Sequence, residues 1–148
     1  FNFFGKSFLF DSGTYTMSFL TGLLCINFAY NNYLQVSPYF IACLLWYPAI
    51  ENLFTIIRRK IFNQEISKPD NLHLHHLLFN LIKKNISSKN NLLINTLSGF
   101  IINIYMSISA LVAIVYFNHT FSLLITICVN IFLYLNIYFI LYKKNQLR

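Results

Sequence analysis

Charge is scarce in this sequence. Charged residues make up 10% of the 148, and only four of them are acidic. An ordinary soluble domain carries about 25%. Hydrophobic residues reach 57%, with sixteen Phe and ten Tyr. A soluble core of this length cannot hide that much apolar surface. A soluble globular class is set aside in favour of a membrane protein. Cysteine is scarce too. Cys25, Cys43 and Cys128 all sit inside apolar segments. They read as small core or lipid-facing residues, not as a disulfide set. An initiator Met and a signal-peptide pattern are also missing. The chain is read as the C-terminal part of a longer protein, with residues 1–148 forming one domain. A net charge of +7 would suit nucleic acid. The cations flank apolar runs, however, which suits membrane topology, and no nucleic-acid partner is expected.

Four uncharged or nearly uncharged runs are present, at 14–30, 36–57, 92–117 and 120–142. Each is near or above the roughly 17–25 residues that a spanning helix needs. Asp11-Ser12-Gly13-Thr14 gives a helix-start signal before the first run. Pro38 suits the first turn of the second run, and Pro48 predicts a kink in its middle. Between the second and third runs lies a polar island, 58–91. It holds seven of the eleven basic residues and three of the four histidines. Lys6 precedes the first run, and Lys143, Lys144 and Arg148 follow the fourth. The two remaining loops hold neither Lys nor Arg. Four spans put all cations on one side, which the positive-inside rule makes cytoplasmic. Inside the island, Pro69-Asp70 signals another helix start. Leu74, Leu77, Leu78, Leu81 and Ile82 follow the spacing of one helical face. His73, His76, Asn80 and Lys83 fall opposite, with His75 at the boundary. The expected fold is all-α: a polytopic integral membrane helical bundle of four transmembrane helices plus a cytoplasmic surface amphipathic helix. That helix is expected to lie apolar face down on the membrane, with histidines toward the cytoplasm.

The candidate site residues carry more than one reading. Asp11 is either an exposed helix cap or a Mg²⁺ ligand, since Mg²⁺ commonly uses one or two carboxylates plus substrate phosphates. His73, His75 and His76, beside Asp70, suit contact with an anion or nucleotide. A zinc site would need partners that the sequence does not place nearby, and a surface helix that merely holds histidines is the plain alternative. Arg58-Arg59-Lys60 fits a topology anchor as well as a site. Lys6 fits an anchor or a phosphate contact. Glu51 is a carboxylate inside a spanning run, which is costly and functional by default. It could instead pair with Arg58 or with a backbone N–H freed by the kink. His119 reads as an interfacial loop residue.

Taken together, these segments resemble the C-terminal half of the polyprenyl-phosphate N-acetylhexosamine-1-phosphate transferases. Lys6-Ser7-Phe8-Leu9-Phe10-Asp11-Ser12-Gly13-Thr14 is similar to that family's K-x-F-[LM]-G-D-x-G-[ST] segment, with Phe10 where the family has Gly. Tyr47-Pro48-Ala49-Ile50-Glu51, followed by Arg58-Arg59-Lys60, resembles its P-x-x-[DE] and R-R pattern. Pro69-Asp70-Asn71-Leu72-His73-Leu74-His75-His76 resembles its P-D-x-x-H-[IL]-H-H loop. The resemblance implies transfer of a sugar 1-phosphate from a UDP-sugar to polyprenyl phosphate, releasing UMP, with Mg²⁺ as cofactor. It implies Asp11, His73, His75 and His76 as catalytic residues and Asp11 as the metal ligand. Lys6, Arg58, Arg59 and Asp70 are the implied cofactor- and nucleotide-binding residues. The implied partners are a UDP-sugar, polyprenyl phosphate and membrane lipid, and a homodimer is compatible with it. The implied location is the inner cell membrane, with the active face cytoplasmic. The family's paired-aspartate motif lies in a half that this chain does not contain. The competing reading is a non-catalytic membrane subunit or transporter fragment whose basic loop binds anionic lipid.

Overall fold

The computed structural model describes residues 11–63, 65, 70–85 and 90–146. They form six helices: α1 (Asp11–Asn31), α2 (Pro38–Leu44), α3 (Trp46–Ile61), α4 (Leu74–Asn85), α5 (Asn91–Val115) and α6 (Thr120–Gln146). No strand occurs among the described residues.

Helices α5 and α6 have 25 and 27 residues and are long and apolar enough to cross a membrane. At about 1.5 Å per residue both exceed the roughly 30 Å hydrocarbon core. Their large aliphatic and aromatic side chains are mostly exposed, as lipid contact requires. Asn90 caps α5 by accepting from the N–H groups of Leu92 (3.1 Å) and Leu93 (3.4 Å). The expected second span is divided. Helices α2 and α3 meet at Leu45 with a bend of 68° and count as a third candidate span only if taken together. The break falls three residues before Pro48, not at it. Pro48 has no N–H for the Leu44 carbonyl, and its ring crowds that carbonyl, so the helix fails one turn upstream. Helix α1 has 21 residues. Its Thr, Ser and Asn side chains dilute it, and it is not among the helices apolar enough to cross. The described residues thus contain two candidate spans, or three with the bent pair, where the sequence predicts four.

Two clusters hold the bundle together. At one end Phe40, Cys43, Ala113 and Leu123 are buried together. There the Ser37 N–H donates to the Phe117 carbonyl (2.9 Å), and the Ser37 and Thr120 hydroxyls lie 2.9 Å apart. At the other end Trp46, Leu74, Leu77, Tyr134, Tyr138 and Leu141 form the larger core. This second end carries all the described Lys and Arg residues, from the last turns of α3, α4 and α6.

Helix α4 departs from the expected surface position. Its apolar face does not look outward to lipid. Leu74, Leu77 and Ile82 are buried, and the helix packs on α5 and α6. Burying such a side chain is worth about 1.5–3 kcal/mol. Periodicity identifies an apolar stripe but not what covers it, and here the covering surface is protein.

Candidate functional site

The site begins with a polar stripe on α3. Glu51, Thr55, Arg58 and Arg59 recur at helical spacing along α3. After Ile61 the helix stops. Asn63 takes a left-handed conformation (φ 51°), a common helix terminator. The chain then returns past Asp70 to place the histidine segment against the stripe.

Asp70 does not start a helix, because α4 begins at Leu74. Its Oδ1 accepts the Leu72 N–H at 2.9 Å, closing an Asx turn. Its Oδ2 takes Arg58 Nη2 in an ion pair and lies 3.6 Å from Arg59 Nε. Arg59 Nη1 also donates to the Glu65 carbonyl at 2.8 Å. Arg58 and Arg59 are only 6% and 4% exposed, so they are not loose membrane anchors. They clamp the loop that carries the histidines. Burial alone would raise the Asp70 pKa, but the Leu72 N–H and the Arg58 charge outweigh it and hold the carboxyl below its usual range. Arg58 Nε and the Tyr138 hydroxyl are buried without a hydrogen-bond partner among the described residues. Arg58 and Tyr138 also line a wholly apolar slot of about 220 Å³ with Phe54, Ile57 and Phe139.

Glu51 meets neither Arg58 nor a backbone group freed by the kink. It is buried, and one oxygen, Oε1, accepts the Leu74 N–H at 2.9 Å and faces His73 Nδ1 at 3.1 Å. The other, Oε2, accepts the Tyr134 hydroxyl at 2.9 Å. Leu74 is the first residue of α4, so Glu51 caps that helix from across the bundle. Thr55 Oγ1 lies 3.4 Å from the same His73 nitrogen.

The histidine rings gather at this point. The ring centroids of His75 and His76 are 4.1 Å apart, those of His73 and His75 5.7 Å, and those of His73 and His76 6.4 Å. The sequence places His73 and His76 outward and His75 at the boundary. In the fold His73 turns inward to Glu51, His75 is the exposed ring and His76 is half-buried. His73 precedes the first helical residue, where side-chain direction does not follow the helical period. Desolvation lowers the His75 pKa, and the neighbouring His76 and His73 lower it further. Among the described residues, no group of three or more His, Cys, Asp and Glu side chains could hold a metal ion.

Asp11 is the first residue of α1, and its side chain lies outside the described residues, as do all of Lys6, Lys68 and Pro69. The structure therefore brings together Glu51, Arg58, Arg59, Asp70 and the three histidines. Thr55 and Tyr134 complete the group and were not singled out from sequence. Thr55 had a readable signal, being one turn after Glu51 on the same face. Tyr134 had none, since 83 residues separate it from Glu51.

A helical bundle with spans of this length and a polar cluster at one end defines an integral membrane protein. The chain is 32% identical over 107 residues, 72% of its length, to a protein of Bacillus subtilis (strain 168) named probable undecaprenyl-phosphate N-acetylglucosaminyl 1-phosphate transferase. It spans 28% of that protein's length. No family model and no solved structure matches.

Proposed function

We propose that this chain is part of a membrane transferase of the polyprenyl-phosphate N-acetylhexosamine-1-phosphate transferase family. Its reaction moves a sugar 1-phosphate from a UDP-sugar to polyprenyl phosphate and releases UMP. The observation that carries this reading is the likeness over 107 residues to a protein named for that chemistry. The site geometry supports it. Transfer of a phosphoryl group demands positioning and charge neutralisation more than covalent chemistry. Three imidazoles held in one cluster, on a loop clamped by Arg58, Arg59 and Asp70, suit that demand. Imidazole donates one hydrogen bond to phosphate when neutral and two when protonated. Lys60, Lys83 and Lys84 are exposed near the ends of their helices and add positive charge.

Mg²⁺ at Asp11 belongs to the same proposal. Magnesium is usually bound by one or two carboxylates plus substrate phosphates. The described side chains do not make a metal site by themselves, so their part is to hold and orient the diphosphate. The reading places both chain ends and the histidine loop on the cytoplasmic face of the inner membrane, which requires the bent α2–α3 pair to cross as one span and α1 to cross as well, although α1 is less apolar than α5 and α6. The test uses the full-length protein with UDP-N-acetylglucosamine, undecaprenyl phosphate and Mg²⁺, following UMP release and the lipid-linked product. Wild type is expected to form both. Asp11→Asn is expected to abolish turnover while membrane insertion persists. Turnover near wild type in Asp11→Asn would make Asp11 a helix cap only. No product from wild type would remove the reading.

A further inference from the structure

The position of Glu51 has a cost that α4 capping does not explain. A carboxylate buried inside the bundle gives up most of its hydration. Capping the start of α4 needs no buried carboxylate from another helix, because a Ser, Thr or Asn at position 73 would accept from the free N–H groups of the first turn. The chain instead has His73 there, and its ring does not cap the helix. The cap comes from Glu51 Oε1, and the same oxygen faces His73 Nδ1 at 3.1 Å. The Tyr134 hydroxyl holds the other oxygen at 2.9 Å, so the carboxylate plane is fixed from two sides. A carboxylate only accepts, so His73 must donate its Nδ1 hydrogen. Nε2 lies on the opposite side of the ring, turned away from the carboxylate. The His73 side chain is 26% exposed, whereas Glu51 is 11% exposed, so the ring bridges the core and the accessible cluster.

We infer that Glu51 is a positioning residue for the transfer reaction. It holds His73 by Nδ1 and so presents His73 Nε2 as the atom that contacts the phosphates of the sugar nucleotide. This rests on the transferase reading for the identity of the ligand. The Glu51–His73 arrangement itself rests on geometry alone. Histidines that bind metals are oriented by a carboxylate behind the ring in the same way, and losing that partner typically costs 10–100-fold in affinity or activity. Tyr134 serves the arrangement at one further remove, by fixing Glu51.

The test is a double-mutant cycle in the full-length protein. Glu51→Gln keeps size and an oxygen for the Leu74 N–H, and removes the charge. It is expected to lower kcat by about 10–100-fold with a smaller change in KM for UDP-N-acetylglucosamine. In a His73→Ala background the same change is expected to cost nothing more, because its effect runs through the imidazole. An equal cost in both backgrounds, with a lowered Tm, would make Glu51 a structural cap and overturn the inference. If Glu51→Gln does not fold, Tyr134→Phe takes its place with a smaller kcat loss and the same expected dependence on His73. A second arm needs no activity. The ¹⁵N spectrum of labelled histidine in wild type is expected to show His73 hydrogen-bonded through Nδ1–H, with that signal shifted toward a weaker hydrogen bond in Glu51→Gln, where the acceptor loses its charge, and shifted less in Tyr134→Phe. An Nε2–H tautomer in wild type would overturn the arrangement. Inactive wild type with the expected spectrum would instead overturn only the transferase reading.

Discussion

Two buried polar clusters in this bundle are built differently. The first joins α5 to α6 within the spans. Asn130 Nδ2 donates to Ser109 Oγ at 2.7 Å, and the Tyr105 hydroxyl reaches the Asn130 carbonyl at 3.3 Å. The groups named there are neutral. The second cluster, where α3 meets the histidine loop, holds Glu51, Arg58, Arg59 and Asp70. Neutral groups suffice where two helices only need to be held together, because each hydrogen bond replaces an unsatisfied polar group in hydrocarbon. Charged groups appear where the chain leaves the apolar zone. There, loop N–H groups and opposite charges are at hand to offset desolvation. The charged cluster also defines a loop conformation, which the neutral one does not.

The largest contrast is expected from removing one charge. Asp70→Asn keeps the shape but leaves Arg58 and Arg59 without their carboxylate. Breaking a buried pair in this way costs about 3–5 kcal/mol. Thermal unfolding in detergent should show it, together with greater protease sensitivity of the histidine loop. The effect has a pH signature. The Asp70 pKa is lowered in the fold, so its contribution is present above about pH 4, the ordinary carboxylate range, and is lost as pH falls through the folded value. Asp70→Asn should lack that acid-dependent loss. A cost no larger than that at Asn130 would erase the distinction between the clusters.

A smaller effect is expected in the neutral cluster. Asn130→Ala removes the bond to Ser109, and interhelical hydrogen bonds of this kind average about 0.6 kcal/mol with a maximum near 1.7. The loss should be independent of pH, and the histidine loop should keep its protease resistance. Loosening of that loop in Asn130→Ala would show that the clusters are coupled.

The smallest effect concerns His75. Its pKa is lowered in the fold, so the unfolded chain binds the proton more readily. Its contribution to stability is complete above about pH 6.5, the unfolded value, and falls as pH drops through and below it. His75→Gln should flatten the stability profile below pH 6.5 and leave it unchanged above pH 8. A Tm profile identical to wild type across that range would mean that neither burial nor the neighbouring His76 and His73 charges lower the His75 pKa.

Much of the architecture was legible in the residues. The runs at 92–117 and 120–142 became α5 and α6 to within a few positions, because uninterrupted apolar length permits little else. The second run misled in its detail. Pro48 announced a kink, but the break fell at Leu45, because the damage to a helix lies one turn before the proline. The histidine loop stood out as a motif, yet the orientation of His73 was misplaced. A helical wheel assigns directions only to helical residues, and His73 lies just before the helix.

The sequence by itself determined the material and its polarity: an apolar helical chain with its basic residues gathered at one end and an Asp-to-His segment beside them. These follow from composition and period, which are local quantities. Tertiary structure alone decided the pairings. Glu51 could have met Arg58, a freed backbone N–H or water, and each was chemically acceptable. It met Leu74, His73 and Tyr134 because α3, α4 and α6 converge there, over separations of 22 to 83 residues. The same convergence put the leucine face of α4 against protein instead of lipid. A period tells which residues share a face. What that face meets is settled by the packing of the whole bundle, where most buried polar groups must find partners at once.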